Sequence, residues 1–295
     1  MTTDDHSLRI LHMSDTHLFG DDTLHYGVVD TTAALRRVLD RAAELDDVDV
    51  VVLSGDLSDD GSPASYRLLR ELVDPWAAAR SATVVYAMGN HDLRDGFEEV
   101  LGERRGVATV RGVRLIHLDS SVPGYGYGEL DAASLQWLRG ELAEEAEPSA
   151  GAGTVVVLHH PPVPASTPLL AALELTRPEE VLRVCADAGV RLILSGHYHH
   201  SLVTRAHGVP VVVAPGITNT SDAIAPHGHE RATVGAGFAV IDLPLDAPHD
   251  REPRVTFVAA PGPEDGTELF DLDAAAIAEI ARASGDPSAA PGTDA

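Results

Sequence analysis

Leu8-Arg9-Ile10-Leu11-His12-Met13 runs directly into Ser14-Asp15-Thr16-His17, an apolar run that ends in side chains able to bind a metal. The pattern recurs along the chain. Val48 to Leu53 leads into Ser54-Gly55-Asp56, and Thr83 to Met88 into Gly89-Asn90-His91-Asp92. Val113 to Leu118 leads into Asp119-Ser120-Ser121, and Thr154 to Leu158 into His159-His160-Pro161-Pro162. Val190 to Leu194 leads into Ser195-Gly196-His197-Tyr198-His199. Continuous apolar runs of this kind read as central strands buried on both faces. Amphipathic stretches lie between many of them. Asp30 to Leu45 places Leu35, Val38, Leu39, Ala42 and Leu45 on one face. Ser62 to Arg80 does the same with Tyr66, Leu69, Leu72 and Val73, and Pro75 is expected to kink or break it. Asp131 is the expected N-cap of a helix to Glu144, and Pro178 to Ala188 opens with Pro and two Glu, as a helix first turn does. Strands alternating with helices indicate an α/β fold. The later runs, Ser201 to Arg205, Pro210 to Val213, Gly237 to Leu243 and Arg254 to Ala259, have few helices between them. They suggest a second, partly antiparallel sheet packed against the first.

The chain has 295 residues, 44% of them hydrophobic, enough for a large packed core. Its formal net charge is −25, so a nucleic-acid polymer is an unfavourable partner and cation capture a favourable one. All 21 Lys and Arg residues are arginine. The single cysteine, Cys185, sits at core-facing spacing with Val181, Leu182 and Ala188, which reads as a small buried apolar residue. No apolar run reaches the roughly eighteen residues of a membrane span. The first residues lack the basic and apolar regions of a secretory signal, so a cytoplasmic location is expected.

Ligands of open α/β sheets bind at the carboxyl ends of the strands. Taken singly, the polar strand ends have ordinary readings. Asp15 and His17 can cap a turn, Gly55-Asp56 can form one, and Asn90 suits left-handed turn geometry. Taken together they hold four histidines, His17, His159, His197 and His199, with Asp15, Asp56 and Asn90. A set composed of ligand types points to metal. Mixed imidazole and carboxylate ligation suits Zn, Mn, Fe or Co better than Ca or Mg. In an extended segment, residues two apart share a side, so Asp15 with His17, and His197 with His199, are expected to face one cavity each. Asp56 is the candidate to bridge two metals, an arrangement that clamps both oxygens of a phosphoryl displacement.

These motifs, in this order, resemble the calcineurin-like metallophosphoesterase superfamily. Gly55-Asp-Leu-Ser-Asp-Asp-Gly61, Asp119-Ser-Ser-Val-Pro-Gly124 and Leu158-His-His-Pro-Pro162 are similar to its class III cyclic nucleotide phosphodiesterases, and much of this is shared with glycerophosphodiesterases. The resemblance implies a four-layer α/β/β/α sandwich. It implies a first metal on Asp15, His17 and His199, a second on Asn90, His159 and His197, and Asp56 between them. It implies a nucleophilic hydroxide between two divalent or mixed-valence ions (Mn, Fe or Zn), with His91 stabilising charge or protonating the leaving oxygen. Asp92 is expected to orient the site. The implied substrate is a small phosphodiester, cyclic AMP or a 2′,3′-cyclic nucleotide first, with a glycerophosphodiester, a phosphomonoester or a nucleotide pyrophosphate as alternatives. A non-catalytic metal-binding protein is the third reading, disfavoured because no ligand is missing. Gly124-Tyr125-Gly126-Tyr127-Gly128 reads equally as a base-stacking loop or a surface turn, and His25 and Tyr26 as candidates to line the entrance. His200, His207, His227 and His229 are left as surface or loop residues. The sequence leaves a homodimer open. The expected organisation is a catalytic domain at 1–245, a strand and a short helix at 246–284 (the helix at Asp273 to Ala283), and a disordered tail at 285–295.

Overall fold

The computed structural model describes residues 6–143, 153–246 and 251–285. Apart from Gly285, the expected tail lies outside the described residues. Two large sheets organise the chain. In the first, β1 (Ser7–Met13) is central, with β2 (Val50–Ser54) and β3 (Thr83–Ala87) parallel on one side. On the other side lie β12 (Gly237–Pro244) and β13 (Arg254–Ala259), both antiparallel to their neighbours. In the second sheet β5 (Val113–Leu118), β6 (Thr154–Leu158), β7 (Leu192–Ser195) and β9 (Val209–Val213) are parallel. Its antiparallel edges are β4 (Gly106–Val110) and β8 (Leu202–Ala206).

The apolar runs therefore do not share one sheet, as the reading in sequence suggested. The first three enter one sheet and the next three the other, and the late strands divide in the same way. β1 and β2 in one sheet and β6 and β7 in the other are alike buried on both faces, so their composition cannot tell the two sheets apart. The alternation of side chains builds the layers. Ile10, Val50, Val52 and Val85 meet Leu115, Val155, Val157 and Leu194 between the sheets. Leu11, Met13, Val51 and Leu53 point the other way, onto α1 (Thr31–Ala42) and α2 (Pro63–Ala78). Ile116, Leu118, Val156 and Leu158 likewise cover α4 (Ala132–Ala143) and α6 (Pro178–Asp187). The result is a four-layer α/β/β/α sandwich. Each fully buried Val or Leu contributes about 1.5–3 kcal/mol against the chain entropy.

The helices start where their caps dictate. Asp30 Oδ1 accepts from Ala33 N at 2.8 Å, and Asp131 Oδ1 from Ser134 N at 2.7 Å. Of the kink or break expected at Pro75, the break does not occur. The helix runs on to Ala78, because Tyr66, Leu69, Val73 and Ala77 bury one continuous face against the sheet on both sides of the proline. Two short helices, α3 (Arg94–Val100) and α5 (Pro168–Ala172), have no clear periodicity in sequence. The same holds for a small antiparallel sheet of β10 (Asn219–Ser221), β11 (Glu230–Val234) and β14 (Glu268–Leu272). The last helix, α7 (Ala274–Ser284), is capped by Asp273 and touches α5. Among the described residues no helix is long and apolar enough to cross a membrane.

β1 is tied to β12 by an ion pair as well as by its ladder. Arg9 and Asp242 are register partners, and Arg9 Nε lies 2.7 Å from Asp242 Oδ1 with the arginine side chain 3% exposed. Burial pushes the Asp242 carboxyl up, but its bonds to Arg9 and Arg254 outweigh burial and hold it below its ordinary value. Asp242→Asn is expected to cost about 3 kcal/mol, read as a melting temperature several degrees lower at neutral pH. The wild type has this stabilisation in full above the unfolded carboxylate pKa of about 4, and loses it as pH falls through the lower folded value. The gap between the two proteins must therefore close in acid.

Candidate metal centre

The carboxyl ends of β1, β2, β3, β6 and β7 converge on one edge of the sandwich. The loops after β1 and β2 are zipped together: Asp15 N donates to Gly55 O (3.0 Å), His17 N to Asp56 O (2.9 Å) and Thr16 Oγ1 to Leu57 O (2.7 Å). Within the second sheet Gly196 N donates to His159 O (3.0 Å), tying the loop after β7 to the loop after β6, and His197 N joins this sheet to the first by donating to both Asp15 carboxylate oxygens (3.1 and 3.2 Å). Asp15, His17, Asp56 and His199 gather their ligand atoms within 4.8 Å of one another.

This gathering does not come from strand alternation. β1 ends at Met13 and β7 at Ser195, before the ligand pairs begin. Asp15 (φ 56°), His17 (φ 42°), Asp56 (φ 49°), His197 (φ 68°) and His199 (φ 49°) all take left-handed backbone. Each such residue costs roughly 1 kcal/mol or more, a strain typical of functional sites. The turns, rather than the pleat, bring both members of each pair inward.

The donor set fits a cation. His159 Nδ1 donates to Ser54 O at 2.8 Å, which leaves Nε2 with a lone pair in the neutral ring. That nitrogen lies 3.2 Å from Asp56 Oδ2 and 3.1 Å from Asn90 Oδ1. On the other side His199 Nε2 lies 3.2 Å from Asp15 Oδ1 and 3.3 Å from His17 Nε2, and His17 Nε2 lies 3.8 Å from Asp56 Oδ2. Lone pairs this close repel unless positive charge stands among them. The titration behaviour reports the same field. Burial opposes charge on His159, yet Asp56 and Asp15 outweigh it and raise the ring to about 9. Burial would likewise raise Asp15, but His199 and His159 hold it down at about 2. His197 is pushed down to about 3 by burial and by His159, and stays neutral.

His91 follows Asn90 at the rim, its side chain 44% exposed. Its backbone N donates to Asp56 Oδ1 (2.9 Å), and its Nδ1 lies 3.1 Å from Asp59 Oδ1. Burial works against a proton here, but Asp56 and Asp59 prevail and raise the ring to about 9. Asp59 is the residue that sequence reading missed. Its carboxylate also meets His17 Nδ1 at 2.9 Å and His25 Nδ1 at 3.6 Å, so it orients a ligand and His91 at once. The available signal was its place three residues after Asp56, in a stretch read only for likeness. Asp92 accepts from Leu57 N, Ser58 N, Gly89 N and the Tyr66 hydroxyl, so it fixes two of the loops. Nothing in the spacing pointed to Tyr66.

His160 is near the cluster, but both ring nitrogens are taken, Nδ1 by Ser120 Oγ (2.9 Å) and Nε2 by Gly126 O (3.2 Å). In the glycine-rich loop, the Tyr125 and Tyr127 rings pack on each other at 5.3 Å, and Tyr127 is buried. His25 is buried against His17, and Tyr26 is exposed beside it. Ile217 N donates to Ser14 O, which brings the segment after β9 to the site. His200 is not a surface residue: it is 8% exposed and stacks on Tyr198. His207 and His229 pair with Glu179 and Asp271 at the periphery.

Close approach explains one motif glycine. A Cβ on Gly89 would lie 2.3 Å from both Asp56 N and Asp56 Oδ1. Gly89→Ala must therefore displace Asp56 or the loop carrying Asn90. The expected cost is about 2 kcal/mol, seen as a lower melting temperature, together with weaker metal retention on dialysis. A variant that melts and binds metal as the wild type does would contradict this packing.

Calcineurin-like phosphoesterases as a family match residues 8–201. The cAMP/cGMP dual specificity phosphodiesterase of Mycobacterium tuberculosis is 40% identical over 77% of this chain and 73% of its own length. The 3′,5′-cyclic adenosine monophosphate phosphodiesterase of Pseudomonas aeruginosa is 31% identical over 75% of this chain and 84% of its own. Among solved structures, the anchor in the inner membrane complex of Plasmodium superposes with a TM-score of 0.57 over 95% of both chains at 13% identity, a likeness of fold alone. With the motifs, the sandwich and these relatives together, the chain belongs to the calcineurin-like phosphoesterase family, in its cyclic nucleotide phosphodiesterase branch.

Proposed function

We propose that the chain hydrolyses cyclic nucleotides at a centre where Asp15, His17 and His199 would hold one divalent cation, Asn90, His159 and His197 would hold a second, and Asp56 would serve both. The observation that carries this reading is the crowding of acceptors around Asp56, with His159 Nε2 at 3.2 Å and His17 Nε2 at 3.8 Å. The outer partners set the tautomers. Asp59 takes the His17 Nδ1 proton and Ser54 O the His159 Nδ1 proton, which leaves Nε2 of each as the ligand atom. Leu173 O, 2.9 Å from His197 Nε2, leaves Nδ1 to that role. The mix of imidazole, carboxylate and amide favours Mn, Fe or Zn. When bound, two such cations neutralise charge on the phosphoryl group and lower the pKa of water.

His91 supplies the proton. Asp59 accepts from Nδ1, so the charged ring presents Nε2–H to a leaving oxygen. The substrate class rests on two supports. The relatives above are named for cyclic nucleotides, and a net charge of −25 disfavours a long polyanion.

The manganese-loaded protein is expected to cleave 3′,5′-cyclic AMP, cyclic GMP and bis(p-nitrophenyl) phosphate. No turnover of any diester with Mn, Fe or Zn overturns the proposal. His91→Ala should lower kcat by about 10²–10⁴-fold with metal content unchanged. Asp56→Asn should reduce bound metal from two equivalents to one or none by elemental analysis, and full retention would remove Asp56 from the bridge.

A further inference from the structure

Beside the metal centre lies a cavity of about 440 Å³, within the range that holds a small organic ligand. Asn90 belongs to both. Much of the remaining wall is apolar: Met88, Leu93, Val122 and Pro123, with Pro63 and Gly124. Leu93 is 58% exposed, an unusual position for a leucine two residues after His91. Gly61 makes room for it, since a Cβ there would lie 2.2 Å from Leu93 Cγ. Arg94 lines the same cavity, its side chain 40% exposed. Its Nη2 reaches Ser121 O at 3.3 Å and Asp119 at 3.4 Å, while its Nε is buried without a hydrogen-bond partner. Of the glycine-rich aromatic loop only Gly124 contributes to this wall, so Tyr125 and Tyr127 are not its stacking surface.

We infer that this cavity is the nucleobase subsite, with the base lying against Leu93, Val122 and Pro123 and Arg94 reading its imidazole edge. The inference rests on the cyclic nucleotide reading above. An aromatic base attached to a phosphate at the neighbouring metal centre needs an apolar wall nearby; this cavity shares Asn90 with that centre and supplies one, with Asp92, Asp95, Glu99 and Ser121 as the polar part of its lining. Arginine donates to N7 of either purine and also to O6 of guanine. Pyrimidines carry neither N7 nor the second ring. The subsite therefore selects purine over pyrimidine and separates adenine from guanine only weakly.

The test uses the full-length, metal-loaded protein and compares kcat/KM for cyclic AMP, cyclic GMP, cyclic CMP and methyl p-nitrophenyl phosphate, a diester without a base. The wild type should prefer both purine nucleotides to cyclic CMP by about tenfold or more, mostly through KM. Leu93→Asp, at a position 58% exposed, should lower the ratio of cyclic AMP to base-free diester turnover by about tenfold. Arg94→Ala should narrow the purine preference to within about threefold. Wild type that cleaves the base-free diester but shows no purine preference overturns the subsite and leaves the phosphodiesterase reading standing. So do variants that lose activity on all diesters in proportion, which would mark Leu93 and Arg94 as structural. Wild type inactive on every diester overturns the phosphodiesterase reading itself.

Discussion

Two carboxylates, Asp15 and Asp56, are buried at the edge where the sheets meet, each no more than 2% exposed. Much of the structure around them follows from that fact. Burying two like charges close together is unfavourable unless positive charge and directed hydrogen bonds surround them. The backbone N–H of His197 satisfies Asp15, and that of His91 satisfies Asp56. Each bond links a carboxylate to a different loop, so the four loops can reach their geometry only together.

The same demand explains the strained backbone. A strand has no way to aim two side chains of a tripeptide at one point beyond its own end, and a left-handed turn does. Asp15, His17, Asp56, His197 and His199 accept that conformation because the zipped loops after β1 and β2, and the tie between Gly196 and His159, over-determine it. The rigid part of the device lies below. β1 is hydrogen-bonded on both sides, packed on both faces and pinned by Arg9 to Asp242.

How far this was legible in the sequence depended on the kind of physics involved. Strands buried on both faces announce themselves by unbroken apolar runs, and ligand types at their ends are visible as letters. Hence β1, β2, β3, β6 and β7 and the proposed ligands could be named from sequence. Partition between two equally buried sheets leaves no trace in composition, and the strands were grouped wrongly. Side chains that act through others were hardest to see. Asp59 and Tyr66 look like any acidic loop residue and any core aromatic until the fold brings His17, His91 and Asp92 to them. Pro75 shows the opposite case: a proline acts locally, and the buried face of Tyr66, Leu69, Val73 and Ala77 carries the helix past it without a break.

The electrostatics divide the labour between surface and site. A net charge of −25 gives the molecule a field that draws cations and repels anions, yet its substrate is anionic. The local arrangement resolves this. At the site itself, cations held among the clustered imidazole and carboxylate groups would invert the sign of the field within a few ångströms, a distance over which salt screens little. Further from it, Arg94 and Arg104 meet at Asp119, on the side of the site where α3 begins. A small monoanion has to cross only the outer field before it meets these groups. A polyanion would keep most of its length in the repulsive region. The acidic surface therefore favours small diesters by how little of them it touches, while the buried centre decides what happens to the phosphate.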